Sequence, residues 1–182
     1  GDGSHQTPYL KIATARAGNV IGGGDWAEDR IVPDAMRALA NKRYIKVRNP
    51  GATRPWQHVV EPLGGYMRLA EKLMTSKVPP CEAFNFGPTI NSNKNVSELV
   101  ETILKHWKGE WIQDTNADQK HEANLLHLEI NKANRILEWS PQWDYEVTIE
   151  KTVNWYKDVH NGACPYERLL KDIENYQTEQ SA

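Results

Sequence analysis

The sequence predicts an α/β fold in which helices dominate the C-terminal half. Two observations carry this prediction. Short apolar runs of strand length alternate with amphipathic stretches of helical period, and glycine- and proline-rich turns separate them. The 182 residues include seven Trp and seven Tyr, which supply enough bulky apolar surface for a packed core.

In the N-terminal half, the first strand is predicted at residues 11–16, where Ile12, Ala13 and Ala15 form an apolar run suited to a buried parallel strand. Trp56, in the last strand of this half, is more typical of a core residue than of a stacking face for a ligand. The other predicted elements here are a helix at 31–42, a strand at 44–47, a turn-rich segment at 48–55 and a strand at 56–60.

The next helix is predicted at residues 61–76, where Pro62 suits the first turn. Its predicted core-facing stripe consists of Leu63, Tyr66, Met67, Ala70, Leu73 and Met74. A helix at 95–108 has Ser97 as a candidate N-cap. The remaining predicted elements are strands at 82–88 and 109–114 and helices at 131–139, 145–160 and 165–177.

Composition excludes several classes of function. A net charge of -2 with 25% charged residues excludes a broadly basic nucleic-acid-binding protein. No apolar run approaches the length of a membrane span, and no signal peptide is visible. Cys81 and Cys164 belong to no metal-binding motif, so we expect reduced residues, as in the cytoplasm, and no metal site.

The segment RAGNVIGGGDW, residues 16–26, raises the question of whether its glycines bind a dinucleotide. The dinucleotide fingerprint is G-x-G-x-x-G opening into a helix whose amides meet a pyrophosphate. Here the glycines stand at 18, 22, 23 and 24, and the carboxylates of Asp25, Glu28 and Asp29 follow and would repel phosphate. We therefore interpret these glycines as residues that shape a sharp turn after a strand.

Three groups of side chains are candidates for contacting a ligand. Arg16 and Asn19 follow the first strand, at the end where open α/β sheets bind ligands. Arg48 and Arg54 flank a turn and suit diphosphate oxygens, although two arginines in a loop are more often simply solvated. His121 lies in HEANLLH, where the histidines are too far apart for a zinc-protease helix, so a surface-loop histidine is favoured.

No nucleophile elbow, P-loop or Tyr-x-x-x-Lys motif is present. The residues alone therefore indicate an α/β domain with a candidate site for an anionic ligand.

A resemblance to a known family takes the interpretation further. It is carried by four stretches that follow one another along the chain: GNVIGGGDW, RPWQHVVEPL, FNFGP and the run from KHEANLLHLE to VNWY.

With these stretches the chain resembles the C-terminal half of the CDP-glucose 4,6-dehydratases, a family of the extended short-chain dehydrogenase/reductase superfamily. The resemblance extends from about Leu10 to about Tyr176, and its first two stretches favour the CDP-glucose branch over the enzymes of other nucleotide sugars. It implies the last strands of a Rossmann sheet plus a smaller, helix-rich substrate-binding domain. Residues 1–182 would form this substrate-binding portion, with 10–24, 56–76 and 82–88 contributing to the end of the sheet.

The resemblance also implies a set of substrate-binding residues: Asn19, Arg30, Arg48, Arg54, Asn91 and His121. Asn19 matches a residue that reaches the diphosphate of the nucleotide sugar beside the nicotinamide, where Arg16 is also expected. Arg54 matches the arginine at the phosphate and ribose, and Arg30 stands at a lid position. Arg48 would lie on the strand that edges the base, His121 near the nucleotide end of the pocket, and Asn91 in the loop after FNFGP.

The resemblance further implies a missing half. In the family, the NAD loop and the catalytic Tyr-x-x-x-Lys lie upstream of the strand that begins at residue 11, so no catalytic residue and no dehydratase activity are expected of this chain alone. The polar start GDGSHQTP, without methionine, agrees with a piece of a longer protein. Such a piece is expected to leave a sheet edge and apolar helix faces uncovered.

The full-length enzyme would use NAD and no metal, bind CDP-glucose, form a homodimer, and contact neither nucleic acid nor membrane. Two alternatives stay open at this point. The chain could be a non-catalytic module that binds sugar nucleotides, or part of a dehydratase or epimerase that acts on a dTDP- or UDP-sugar.

Overall fold

The computed structural model describes residues 10–75, 77–79, 81–115 and 127–180. The strands in this part of the chain are β1 (Ala13–Ala17), β2 (Asn19–Ile21), β3 (Ile45–Val47), β4 (Thr53–His58), β5 (Glu82–Phe86), β6 (Asn93–Asn95) and β7 (Trp111–Gln113). The helices are α1 (Ile31–Ala40), α2 (Val60–Met74), α3 (Val96–His106), α4 (Tyr145–His160) and α5 (Pro165–Gln180), with a 3-10 turn at Ile90–Ser92. The helix predicted at 131–139 is a π-helical turn at Ala133–Leu137. The predicted alternation of strands and helices is confirmed.

The described strands form three small sheets. β1 pairs in parallel with β5, β3 pairs in parallel with β7, and β4 lies between β2, which is parallel to it, and β6, which is antiparallel. The register places Asn19 beside Trp56 and Arg54 beside Lys94. The middle strand of the three-stranded sheet therefore carries Arg54 and adjoins the strand that carries Asn19.

Two strands of this sheet differ from the prediction. β2 was not predicted, because three residues are too few to show a period of two. β4 begins at Thr53, so Arg54 lies in a strand and not in a turn. Gly51 and Pro55 indicate a turn when they are read locally, but pairing with β6, in which Pro55 faces Asn93, extends the strand.

β1 is parallel to its neighbour, as predicted, but it is not buried. Ala15 is exposed, and Ile12, just before the strand, is 52% exposed. Among the described residues β1 pairs with β5 alone, so its other edge is open. An apolar run permits burial, but only a packed neighbour provides it.

The core-facing side of α2 also differs from the predicted stripe. Leu63, Met67 and Met74 are 50%, 74% and 81% exposed. At 100° per residue these three positions share one side of the helix, so they form an exposed apolar stripe. The residues that α2 buries are Val60, Glu61, Pro62, Gly65, Leu69 and Lys72. The open edge and this stripe are the uncovered surfaces expected of a partial fold.

The main core lies where α1, α3 and α4 pack together with β3 and β4, around residues such as Met36, Leu99 and Val153. α3 begins with a capping box: Asn95 Oδ1 accepts the Glu98 amide at 2.8 Å, and the Glu98 carboxylate accepts the Asn95 amide at 2.9 Å. The predicted N-cap Ser97 is therefore wrong, since its hydroxyl donates to Asn95 Oδ1 at 2.8 Å.

Glu61, in the RPWQHVVEPL stretch, is a structural carboxylate. It is fully buried and accepts the amides of Gln142 and Trp143 at 2.9 and 2.6 Å and the hydroxyl of Tyr176 at 2.8 Å. These bonds join the start of α2 to the segment before α4 and to α5. A buried carboxylate needs such donors to offset its lost hydration.

Candidate functional site

A cavity of about 910 Å³ opens between β2, the loop after it, the start of α1, β3 and β4. Four of the six predicted substrate-binding residues line it: Asn19, Arg30, Arg48 and Arg54. They come from four separate segments of the chain and meet at one site. A cavity of this size accommodates a ligand as large as a nucleotide sugar.

The other predicted residues lie elsewhere. Asn91 is exposed in the 3-10 turn and does not line the cavity. Arg16 is exposed in β1, beside Asn85 of β5, and lies in a different sheet from Asn19. Both residues were predicted to lie near the nicotinamide, but Asn19 lines the cavity and Arg16 does not. His121 lies outside the described residues.

The position of Asn19 follows from the local packing around β2. The amide of Gly18 donates to the carbonyl of Phe86 at 3.3 Å, and a Cβ at position 18 would stand 3.2 Å from Pro55 Cγ. Trp56, opposite Asn19, is buried as predicted and donates its Nε1 to the Lys94 carbonyl at 3.0 Å. The side chain of Asn19, half-buried, is thus held at the wall of the cavity.

Two cations line the cavity from strands of different sheets, Arg54 from β4 and Lys46 from β3. Arg54 is half-buried, and its Nη1 donates to the Thr53 carbonyl at 2.9 Å. Lys46 is exposed between the buried residues Ile45 and Val47 of β3, and sequence reasoning missed it as a site residue. The alternation in YIKV was the available signal, because it places Lys46 on the face opposite the core.

Arg30 is held at the cavity by Asp25. Its Nη1 donates to Asp25 Oδ2 at 3.0 Å, and the amide of Ala27 donates to Asp25 Oδ1 at 3.0 Å. Partial burial acts to raise the pKa of Asp25, but these hydrogen bonds and the positive charges of Arg30 and Arg37 outweigh it and hold this pKa below its ordinary value. The hydroxyl of Tyr156 donates to the Asp25 carbonyl at 2.6 Å and ties the loop to α4.

Arg48, which directly follows β3, is held by Asp29. Its Nη2 lies 3.1 Å from Asp29 Oδ1 and 3.3 Å from the Asp29 carbonyl oxygen. Asp29 has a left-handed backbone, with φ of 62°, and its side chain is 83% exposed. The cavity lining thus combines the cations Arg30, Lys46, Arg48 and Arg54 with the carboxylates Asp25, Asp29 and Asp34.

Gly22 and Gly23 pack closely against protein, and Gly22 also lines the cavity. A Cβ at Gly23 would stand 2.1 Å from Cγ and Cδ2 of Trp155 in α4. A Cβ at Gly22 would stand 2.9 Å from Val59 Cγ1, and Gly24 has φ of 88°. The prediction that these glycines shape the chain agrees with this geometry, since two of them leave no room for a side chain.

His58 lies behind this loop, fully enclosed at the end of β4. Its Nδ1 accepts the Val60 amide at 3.4 Å, and its ring contacts Trp143 edge-on with centroids 4.9 Å apart. Burial, together with the nearby charge of Lys151, lowers the pKa of His58 to about 3. The imidazole is therefore neutral and belongs to the packed wall behind the loop.

Within the described ranges, no group of three or more His, Cys, Asp or Glu side chains could hold a metal ion. Of the helices in the same ranges, none has the length and apolar character needed to cross a membrane.

Known proteins resemble the chain in sequence and in fold. CDP-glucose 4,6-dehydratase of Salmonella typhimurium is 43% identical over 167 residues, which are 91% of this chain and 46% of that protein. The predicted resemblance to CDP-glucose 4,6-dehydratases is confirmed. dTDP-glucose 4,6-dehydratase of Streptomyces antibioticus is 26% identical over 85% of the chain and 44% of its own length. No protein-family model matches.

Solved structures share the fold of this chain. UDP-glucuronic acid 4-epimerase from Bacillus cereus superposes with a TM-score of 0.71 at 16% identity, covering 82% of this chain and 46% of the epimerase. This likeness confirms the predicted fold class, part of the extended short-chain dehydrogenase/reductase fold. The chain spans about half the length of the curated relatives it matches.

Proposed function

We propose that the cavity binds CDP-glucose and that the chain is the substrate-binding part of an NAD-dependent CDP-glucose 4,6-dehydratase. The observation that carries this proposal is the meeting of Asn19, Arg30, Arg48 and Arg54 at one cavity. The 43% identity to a CDP-glucose 4,6-dehydratase supports the choice of cytidine and glucose.

The side chains at the cavity suit the diphosphate of such a ligand. A guanidinium group offers paired N–H donors that match phosphate oxygens, and the half-buried Arg54 is already fastened to the Thr53 carbonyl. The carboxamide of Asn19 both donates and accepts hydrogen bonds. These groups bind and orient a substrate, and neither a guanidinium nor a carboxamide is suited to act as a general acid or base near neutral pH.

The glycine loop of this chain does not suit the pyrophosphate of NAD. The glycine loop packs on Trp155 and Val59, and its spacing is not that of a dinucleotide fingerprint. We therefore propose that NAD and the proton-transferring residues belong to a part of the enzyme outside this chain. The chain by itself is then expected to bind substrate without converting it.

Isothermal titration of the 182-residue chain with CDP-glucose tests the proposal, with Arg54→Ala as the variant. Loss of a charge-assisted hydrogen bond costs on the order of 2 kcal/mol, which corresponds to a roughly 30-fold higher Kd. Arg43→Ala is the matched control, because Arg43 is exposed and does not line the cavity.

Equal Kd values for the two variants would show that the site is assigned wrongly. No binding of CDP-glucose by the folded wild-type chain would refute the proposed function. A second candidate is a dTDP-glucose site, favoured by the 26% identity to the Streptomyces antibioticus enzyme. Tighter binding of dTDP-glucose than of CDP-glucose would replace the base in the proposal.

A further inference from the structure

Two acid–arginine pairs stand at the cavity, and they are built differently. Arg30 pairs with Asp25 at 3.0 Å, and Arg48 pairs with Asp29 at 3.1 Å. All four residues line the cavity. Each carboxylate therefore stands against a guanidinium that a phosphate group would also use.

Asp25 is part of the framework of the loop. Besides Arg30, its carboxylate accepts the Ala27 amide, and its carbonyl accepts the Tyr156 hydroxyl from α4. Its side chain is two-thirds enclosed. Turning this carboxylate away from Arg30 would also break the loop's own hydrogen bond from the Ala27 amide.

Asp29 lacks such an anchor. Its side chain is 83% exposed, and in the described part of the chain its carboxylate pairs with Arg48 alone. The Nη2 atom of Arg48 donates its hydrogen bond to the Asp29 carbonyl, and its contact with the carboxylate is an ion pair. Asparagine tolerates the left-handed backbone at this position as aspartate does. The carboxylate can therefore turn into solvent without a change in the fold.

We infer that Asp29 is an affinity-determining residue of the site, because its carboxylate competes with the ligand's phosphate for Arg48. This inference rests on the proposed function. A diphosphate that binds Arg48 takes the place of the Asp29 carboxylate. The new ion pair between Arg48 and phosphate therefore forms at the expense of the ion pair between Arg48 and Asp29. Asp29 therefore weakens the binding of every ligand that uses Arg48.

The variant Asp29→Asn tests this inference by titration with CDP-glucose at low salt. An exposed ion pair contributes little, so its removal should lower Kd by about two- to fivefold. Glu146→Gln is the matched control: Glu146 pairs with Lys105 outside the cavity, and the substitution removes one negative charge from a similarly exposed ion pair. Its Kd should equal that of the wild type.

The double variant Asp29→Asn with Arg48→Gln separates competition from a general charge effect. If Asp29 acts through Arg48, the Asp29→Asn gain disappears when Arg48→Gln is the background. An unchanged or higher Kd in Asp29→Asn, or a gain that persists without Arg48, overturns the inference while the proposed function stands. Absence of CDP-glucose binding in all folded variants, judged by circular dichroism, overturns both.

Discussion

Replacing Gly23 by alanine would place a methyl group inside the indole of Trp155. The new Cβ would stand 2.1 Å from Cγ and Cδ2 and 2.6 Å from Cδ1 of this ring. Carbon atoms in contact are normally about 3.5–4.0 Å apart, so the loop or the indole must move by roughly 1.5 Å. Trp155 is buried in the main core and cannot swing into solvent.

The cost of this substitution follows from overpacking. Added methyl groups in packed cores cost about 1–3 kcal/mol, and a rigid ring on one side of the clash puts this case near 3 kcal/mol. With an m-value of about 2 kcal/mol per molar urea, the unfolding midpoint should fall by about 1.5 M. Gly51→Ala is the control, since a Cβ at position 51 meets no atom within 4 Å, and its effect should stay within about 0.5 kcal/mol.

Urea unfolding followed by circular dichroism measures both variants. In a Trp155→Leu background, alanine at position 23 should cost at least about 1 kcal/mol less, because the two sites are in contact. The reasoning is refuted if Gly23→Ala is as stable as Gly51→Ala. A Gly23→Ala chain of full stability that no longer binds CDP-glucose would instead indicate a phosphate-binding loop.

The remaining predictions concern stability. Leu69→Ala should lower the free energy of unfolding by about 2–4 kcal/mol, because Leu69 is 5% exposed in a packed cluster. Leu63→Ala, on the exposed side of α2, should change it by no more than about 0.5 kcal/mol. Equal losses for the two variants in urea unfolding would mean that the buried face of α2 is misassigned. Burial, with Lys151 nearby, lowers the pKa of His58 from 6.5 to about 3. Between these two pH values His58 is protonated in the unfolded chain and neutral in the folded chain. The free energy of unfolding is therefore unaffected by His58 above about pH 6.5, and it falls by up to about 1.4 kcal/mol per pH unit as the pH falls toward 3. His58→Asn should flatten this dependence, and an unchanged slope in His58→Asn would contradict the neutral imidazole.

Much of the candidate site could be predicted from residue chemistry and resemblance, but not its arrangement. Asn19 stood out at the end of a strand and Arg48 and Arg54 as cations beside a turn, and the resemblance added Arg30. Lys46 was missed because an exposed lysine in a short strand has the same pattern as any solvated lysine. Its place in the lining depends on which strands and loops surround it.

The error on α2 has a similar origin. Leu63 belongs to an apolar stripe with a helical period, and the period identifies a face without saying what covers it. The structure buries Leu69 and the carboxylate of Glu61 instead, and Glu61 is satisfied by donors from segments some 80 to 115 residues away. No local pattern contains that information.

The sequence by itself determined the α/β alternation and predicted that Gly22–Gly24 are not a dinucleotide loop, because periodicity, spacing and neighbouring charge are local properties of the chain. Only the tertiary structure decided that Gly23 packs on Trp155, that Asp29 pairs with Arg48, and that four predicted residues share one cavity. These are contacts between segments far apart in sequence, and their energies come from close packing and charge pairing that exist only once the chain has folded.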